Sequence, residues 1–211
     1  FGGRAVLVMG VRGYGIAVLD LRDKHRELFY NEPGQATSLG SNLVNKLVRD
    51  AKGVYWAATS DGLYQWQLNR STPRNEFRAF RGDGPASLLP ANEILDLLPD
   101  ADGRLWIATR NGGLAMWNGT GMKAYPLPAG AGRTVHGLAL DRAGRLWCAA
   151  RGAYAVLETK TGVWEVLPIP GDLGLPTVPL CTQGLRDGRI AFISDNALHV
   201  FDPALVPKPV A

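Results

Sequence analysis

The sequence predicts an all-β chain made of repeated four-stranded antiparallel units, on three observations. No segment of 11 or more residues sustains the 3.6-residue apolar period of an amphipathic helix. The stretch DGRLWIATRNGGLAMW at 102–117 recurs as AKGVYWAATSDGLYQW at 51–66 and, more loosely, as RAGRLWCAARGAYAVL at 142–157. A glycine stands three residues before the centre of each copy: Gly3 before Val6, Gly53 before Trp56, Gly103 before Trp106, Gly144 before Trp147 and Gly188 before Ala191. The five centres are thus 50, 50, 41 and 44 residues apart.

Each unit is punctuated as four short strands. In the third, ANEILDLLPD (91–100) is an apolar first strand ending in a DADG turn, and RLWIAT is the second strand. RNGG is a tight hairpin turn of the Asn-Gly kind, where positive φ is required. LAMWN and MKAYPLP follow as third and outermost strands, and NLVNKLVRD (42–50) and TVHGLALD (134–141) are the matching first strands of the neighbouring units. Four-stranded units at a period of 40 to 50 residues are the blades of a β-propeller. The approximate units are 1–41, 42–91, 92–132, 133–180 and 181–211. The outer two hold three strands each, so about four and a half blades are present. Each blade is a twisted sheet whose faces its neighbours must cover, and a large flat side chain fills the wedge between them. Trp56, Trp106 and Trp147 are therefore read as packing residues, with Gly53, Gly103 and Gly144 as the turn positions of the repeat.

Composition narrows the function classes. At 211 residues, 46% hydrophobic and 20% charged, the chain can bury a substantial core. Its longest apolar runs fall far short of the roughly 20 residues of a membrane span, so no membrane contact is expected within the segment. The net charge of +4 comes from 23 basic and 19 acidic residues interspersed without a run of five, which argues against nucleic acid. Cys148 and Cys181 have no metal-ligand spacing. Cys148 reads as a small buried hydrophobe, and a disulfide between the two is left open. No cofactor motif is present: there is no phosphate-binding Gly-rich loop, no nucleophile elbow and no paired-histidine metal motif.

SLGSNLVNKLVRDAKGVYWAATSDGLYQW (38–66), repeated as SLLPANEILDLLPDADGRLWIATRNGGLAMW (87–117), resembles the two-component regulator propeller repeat. In that family Asn begins the first strand, Asp-x-x-Gly makes the turn, and Trp-[IV]-[GA]-Thr precedes an Asn/Asp-Gly-Gly-Leu turn. Asn42 and Asn92, Asp50 and Asp100, Trp56 and Trp106, Thr59 and Thr109, and Gly62 with Gly112 and Gly113 match. The unit around Asp141 to Arg151 matches in part, with Ala150 in place of Thr. The resemblance implies an extracytoplasmic, periplasmic sensor segment of a membrane-spanning bacterial receptor. It implies no catalysis in this segment, an output histidine kinase or cyclase elsewhere, and usually seven blades. The chain is then expected to be part of a larger propeller, partnered by missing blades or a second copy, and to bind a small molecule or saccharide.

A ligand is expected over the central opening, on the face of the second-to-third strand hairpins and inter-blade loops, where rigid scaffolds carry function. Those hairpins present Arg12 and Tyr14, Asp61, Arg110 and Asn111, Arg151 and Tyr154, and Asp195 with Asn196. Arg12, Arg110 and Arg151 stand at equivalent positions and suit an anion or acidic sugar through bidentate bonds. The loops NEPGQATSLGS and RGDGPASLLPA read as ligand loops or spacers. Two other classes stay open: a protein-interaction scaffold, and an enzyme resembling the streptogramin lyases, propellers that place a catalytic His with carboxylates and a metal near the centre. In this sequence His136, on a first strand, and Glu93, one blade earlier, are the residues that reading would use; His25 and His199 lie in outer or terminal segments.

Overall fold

The computed structural model describes residues 5–67, 76–82, 89–168, 179–194 and 198–205. They form eighteen strands in five antiparallel sheets, with no α-helix among the described residues. The first sheet is β1 (Val6–Val11), β2 (Gly15–Asp20) and β3 (Arg26–Phe29). Three four-stranded sheets follow. They are β4 (Val44–Arg49) to β7 (Phe77–Phe80) with β5 (Tyr55–Thr59) and β6 (Gly62–Trp66) between; β8 (Ile94–Pro99), β9 (Leu105–Thr109), β10 (Gly113–Trp117) and β11 (Met122–Tyr125); and β12 (Val135–Leu140), β13 (Arg145–Ala150), β14 (Ala153–Glu158) and β15 (Trp164–Pro168). The last is β16 (Pro179–Gly184), β17 (Ile190–Ser194) and β18 (Leu198–Phe201). Here β16 begins two residues ahead of the expected fifth unit, because its pairing with β17 reaches back to Pro179.

Strands pair in chain order within every sheet, and β4, β8, β12 and β16 lie beside one another as a shared inner row. Sheets fanning out from one row of first strands are propeller blades, and the fold is an all-β propeller arc. Each interior blade is covered on both faces, which is why β9 and β13 are buried at every residue and are apolar except at Thr109 and Arg145.

The repeated tryptophans fill the wedges as expected. Trp56 packs with Ile94, Leu97 and Ile107 of the next blade, Trp106 with Leu138, Leu146 and Cys148, and Trp147 with Ile190 and Phe192. What the repeat pattern did not reveal is how each indole satisfies its N–H. Trp56 Nε1 donates to Asp50 Oδ2 at 2.9 Å, Trp106 Nε1 to Asp100 Oδ2 at 2.9 Å, and Trp147 Nε1 to Asp141 Oδ2 at 3.0 Å. The second carboxylate oxygen of each Asp accepts two backbone N–H groups of its own turn: those of Lys52 and Val54, Asp102 and Arg104, and Ala143 and Arg145. One residue thus closes the turn and neutralises a buried polar group. In the third and fourth blades an arginine joins: Arg104 Nε and Arg145 Nε donate to the same Asp Oδ2 at 2.6 and 2.7 Å.

The inner strands share one irregularity. The register against the second strand skips a residue at Asn45, Leu95, His136 and Leu180, a β-bulge in each of four blades. A bulge bends its strand and re-aims a side chain. The residue after each bulge differs by blade. Lys46 reaches Asp96 at 3.3 Å, and Asp96 Oδ2 accepts the Leu138 N–H at 2.9 Å, a link through three successive blades. Burial raises the Asp96 pKa against the opposing pull of Lys46. At Gly137 a side chain would collide with Thr182, so glycine lets β16 close onto β12. Cys148 is buried and Cys181 exposed, and both are free thiols; burial pushes the Cys148 thiol far up.

Candidate functional site

The second-to-third strand hairpins of the first three blades are each fastened to the entry of the next blade. Gly13 and Gly15 donate to the Asn42 carbonyl at 3.0 and 3.2 Å, Gly62 to that of Asn92 at 2.7 Å, and Gly113 to that of Arg133 at 2.8 Å. Gly15, Gly62 and Gly113 all have positive φ, and a Cβ at Gly15 would strike the Phe29 carbonyl. The hairpins and the starts of the inner strands therefore form one rigid face. The inter-blade loops are anchored ahead of the inner strands: Leu39, Leu89 and Ala131 are buried at equivalent points. The side chains of Asn42 and Asn92 accept the backbone N–H of Asn31 and Gly82. Of RGDGPASLLPA, residues 83–88 lie outside the described residues.

The expected rim residues divide three ways. Arg110 and Arg151 both lie near enough to His136 for their charges to act on it. Arg110 N donates to the Glu93 carbonyl and Arg151 N to the Thr134 carbonyl, which sets both at the tops of adjacent inner strands. Asn111, in the left-handed region at φ 64°, donates its N–H to Thr134 Oγ1 at 3.1 Å and accepts that hydroxyl on Oδ1 at 3.0 Å. Asn111 is thereby a clamp between blades. Arg110 Nε pairs with Glu93 at 2.7 Å. Burial, then the positive charges of Arg110 and Arg151, lower the His136 pKa, so its imidazole is neutral at pH 7.

Others stand apart. Arg12 and Tyr14 are exposed on the first blade, two blades from Arg110. Asp61 is turned outward: Arg81 Nη2 bonds it at 2.7 Å and also reaches Tyr64 Oη. Asp195 and Asn196 lie outside the described residues. Tyr154 is a correction. Because β14 begins at Ala153, the turn consists of Arg151 and Gly152 alone, and Tyr154 points into the wedge between the fourth and fifth blades. It stacks on Phe192 with ring centroids 4.2 Å apart and bonds His199 Nδ1 at 2.6 Å. It is a core residue, and no ligand group.

The enzyme reading places a carboxylate on His136. Among the described residues Glu93 is engaged by Arg110, and no carboxylate hydrogen-bonds to the imidazole. Nor do three or more His, Cys, Asp or Glu side chains gather at metal-holding distances among the described residues. No helix among them is long and apolar enough to cross a membrane.

Comparison with known proteins fits this architecture. Residues 88–111 match the model of the family described as "Two component regulator propeller". Those residues carry the two component regulator propeller repeat. The match covers the entry and second strand of the third blade, with Asn92, Asp100, Trp106 and Thr109 in it. No curated protein sequence matches. Among solved structures, the extracellular domain of a hybrid two component system of B. thetaiotaomicron superposes with a TM-score of 0.72 at 17% identity. A one component system of the same organism gives 0.72 at 20% identity. Both alignments cover 96% of this chain and 26% of the other, so the chain spans about a quarter of those domains. Virginiamycin B lyase of Staphylococcus aureus superposes at 0.63 and 13% identity over 95% of this chain and 66% of the enzyme. At such identities these likenesses establish the propeller fold, which sensors and lyases share.

Proposed function

We propose that this chain is part of the extracytoplasmic, ligand-sensing propeller of a bacterial two-component or diguanylate-cyclase-type receptor. It binds a small molecule or saccharide on the hairpin face and passes the signal to an output module carried elsewhere in the protein. The observation that carries this reading is the regulator-propeller repeat at 88–111, set in blades that superpose on extracellular domains of two regulatory systems. The hairpin face that carries Arg110 and Arg151, whose charges reach His136, supports binding. Two guanidiniums around a neutral imidazole supply hydrogen bonds to an anion, while proton transfer needs a general base oriented by a partner. In this reading the three-stranded end sheets are continued by further blades or by a second copy of the chain. Signalling follows if the ligand favours one of two receptor arrangements, since only differential affinity shifts a population.

The test is an in-frame deletion of residues 5–205 from the chromosomal gene, followed by transcript profiling across growth substrates. The proposal requires that induction by one class of substrate be lost while basal transcription is kept. An unchanged profile on every substrate overturns it.

A further inference from the structure

We propose that Arg110, His136 and Arg151 form a cradle for a singly charged hydroxy-carboxylate, such as a uronic sugar, between the third and fourth blades. The inference rests on the ligand-sensing reading for its biological meaning, while the binding itself follows from the residues.

The cradle is built before any ligand arrives. Thr134 is the common anchor: its hydroxyl joins the backbone and side chain of Asn111, and its carbonyl accepts the Arg151 N–H at 3.1 Å. Gly113 N adds a third tie, to the Arg133 carbonyl, two residues earlier than the strand proper. Arg110 and Arg151 are therefore held on turns bonded to the two residues that precede β12. His136 is the bulged residue of that strand, half-buried where its ladder neighbours Val135 and Gly137 are buried. Positions fixed by such ties lower the ordering cost of binding.

The free valences define the ligand. Glu93 pairs with Arg110 through Nε, and Arg110 has no second ion pair among the described residues. Arg151 is exposed, and its guanidinium has no hydrogen bond or ion pair among the described residues. Neither ring nitrogen of His136 is bonded among them. Two guanidiniums less one carboxylate leave one net positive charge, which a monoanion balances. A dianion would set its surplus charge against Glu93. The neutral imidazole offers one N–H donor and one lone pair. A ligand that satisfies both carries a carboxylate for the arginine forks and a nearby hydroxyl to donate to the ring.

The experiment is an NMR titration of the isotope-labelled 211-residue chain with D-glucuronate, read at the imidazole resonances, with His25 and His199 as internal references. The expected result is a saturable shift confined to His136, absent with D-glucose, and an upward move of the His136 titration midpoint as the ligand offsets the arginine charges. Arg151→Ala, at an exposed turn, is expected to weaken binding at least tenfold without altering the fold of the spectrum. The proposal is overturned if His136 does not respond, if glucose acts equally, if Arg151→Ala binds as well as the parent, or if inorganic phosphate binds more tightly than glucuronate. Such a failure leaves the deletion experiment free to support the sensor reading, and a failed deletion leaves this binding measurable.

Discussion

The third and fourth blades have the same four strands and the same Asp–Trp bond, yet they treat the attached arginine and the hairpin differently. In the third, Arg104 reaches Asp100 from a side chain that is 26% exposed, and it also bonds the exposed Asp102. In the fourth, Arg145 is 6% exposed, joined to Asp141 and to the Pro203 carbonyl. In the third blade Thr109 Oγ1 bridges the hairpin to the Gly113 carbonyl; in the fourth, Ala150 faces Ala153 and no such bridge exists. The repeat therefore keeps the element that satisfies a buried indole. It lets the solvent side of the turn and the hairpin drift.

Removing the Asp tests that division most strongly. Asp141→Ala takes the carboxylate from the buried Arg145 Nε, from an indole and from two backbone N–H groups, and should cost about 3–5 kcal/mol. Asp100→Ala leaves an arginine that can turn to water and should cost about 2 kcal/mol. Urea denaturation of the two variants reads the difference, and equal losses would mean that burial of the arginine is irrelevant. Thr109→Ala makes the third hairpin like the fourth and should cost about 1 kcal/mol, the worth of one hydrogen bond; a loss above about 3 kcal/mol in the same assay would show that the bridge holds more than its own turn. The smallest effect concerns pH. His136 has a folded pKa below its ordinary value near 6.5, so the unfolded chain binds more protons in that window. Stability is therefore fully present above about pH 6.5 and falls as pH drops through the folded pKa. A His136→Gln variant should show a flatter melting-temperature profile between about pH 7 and pH 5.

Most of the propeller was legible because its causes are local. Glycine before each second strand, an Asn-Gly hairpin and a tryptophan in each wedge mark the strands at their true positions. The aspartate's second task was also written in the sequence, since Asp50, Asp100 and Asp141 each stand six residues before a tryptophan. That spacing was read as turn chemistry alone. The cradle was legible only in its parts. Arg110 and Arg151 are legible as equivalent hairpin residues, but their common bearing on His136 depends on a bulge and on the Thr134 clamp, which join residues far apart in the chain. Tyr154 differs for a similar reason: a turn two residues shorter than one patterned on RNGG puts it on the strand, where tertiary packing against Phe192 and His199 claims the ring.

The repeated bulge has a consequence for how such a domain diversifies. At Asn45, Leu95, His136 and Leu180 one residue per blade stands outside the pairing ladder. At the first three of these the side chain is also less buried than that of the residue before it. At Asn45 that side chain ties two blades, its Nδ2 donating to the Ile94 carbonyl at 2.7 Å. At His136 it is half-buried and makes no such tie among the described residues. The same backbone device therefore serves two ends, a rivet between neighbouring blades at Asn45 and an uncommitted side chain at His136, and a change of amino acid at the second alters what the opening offers a visitor without removing a bond of the frame.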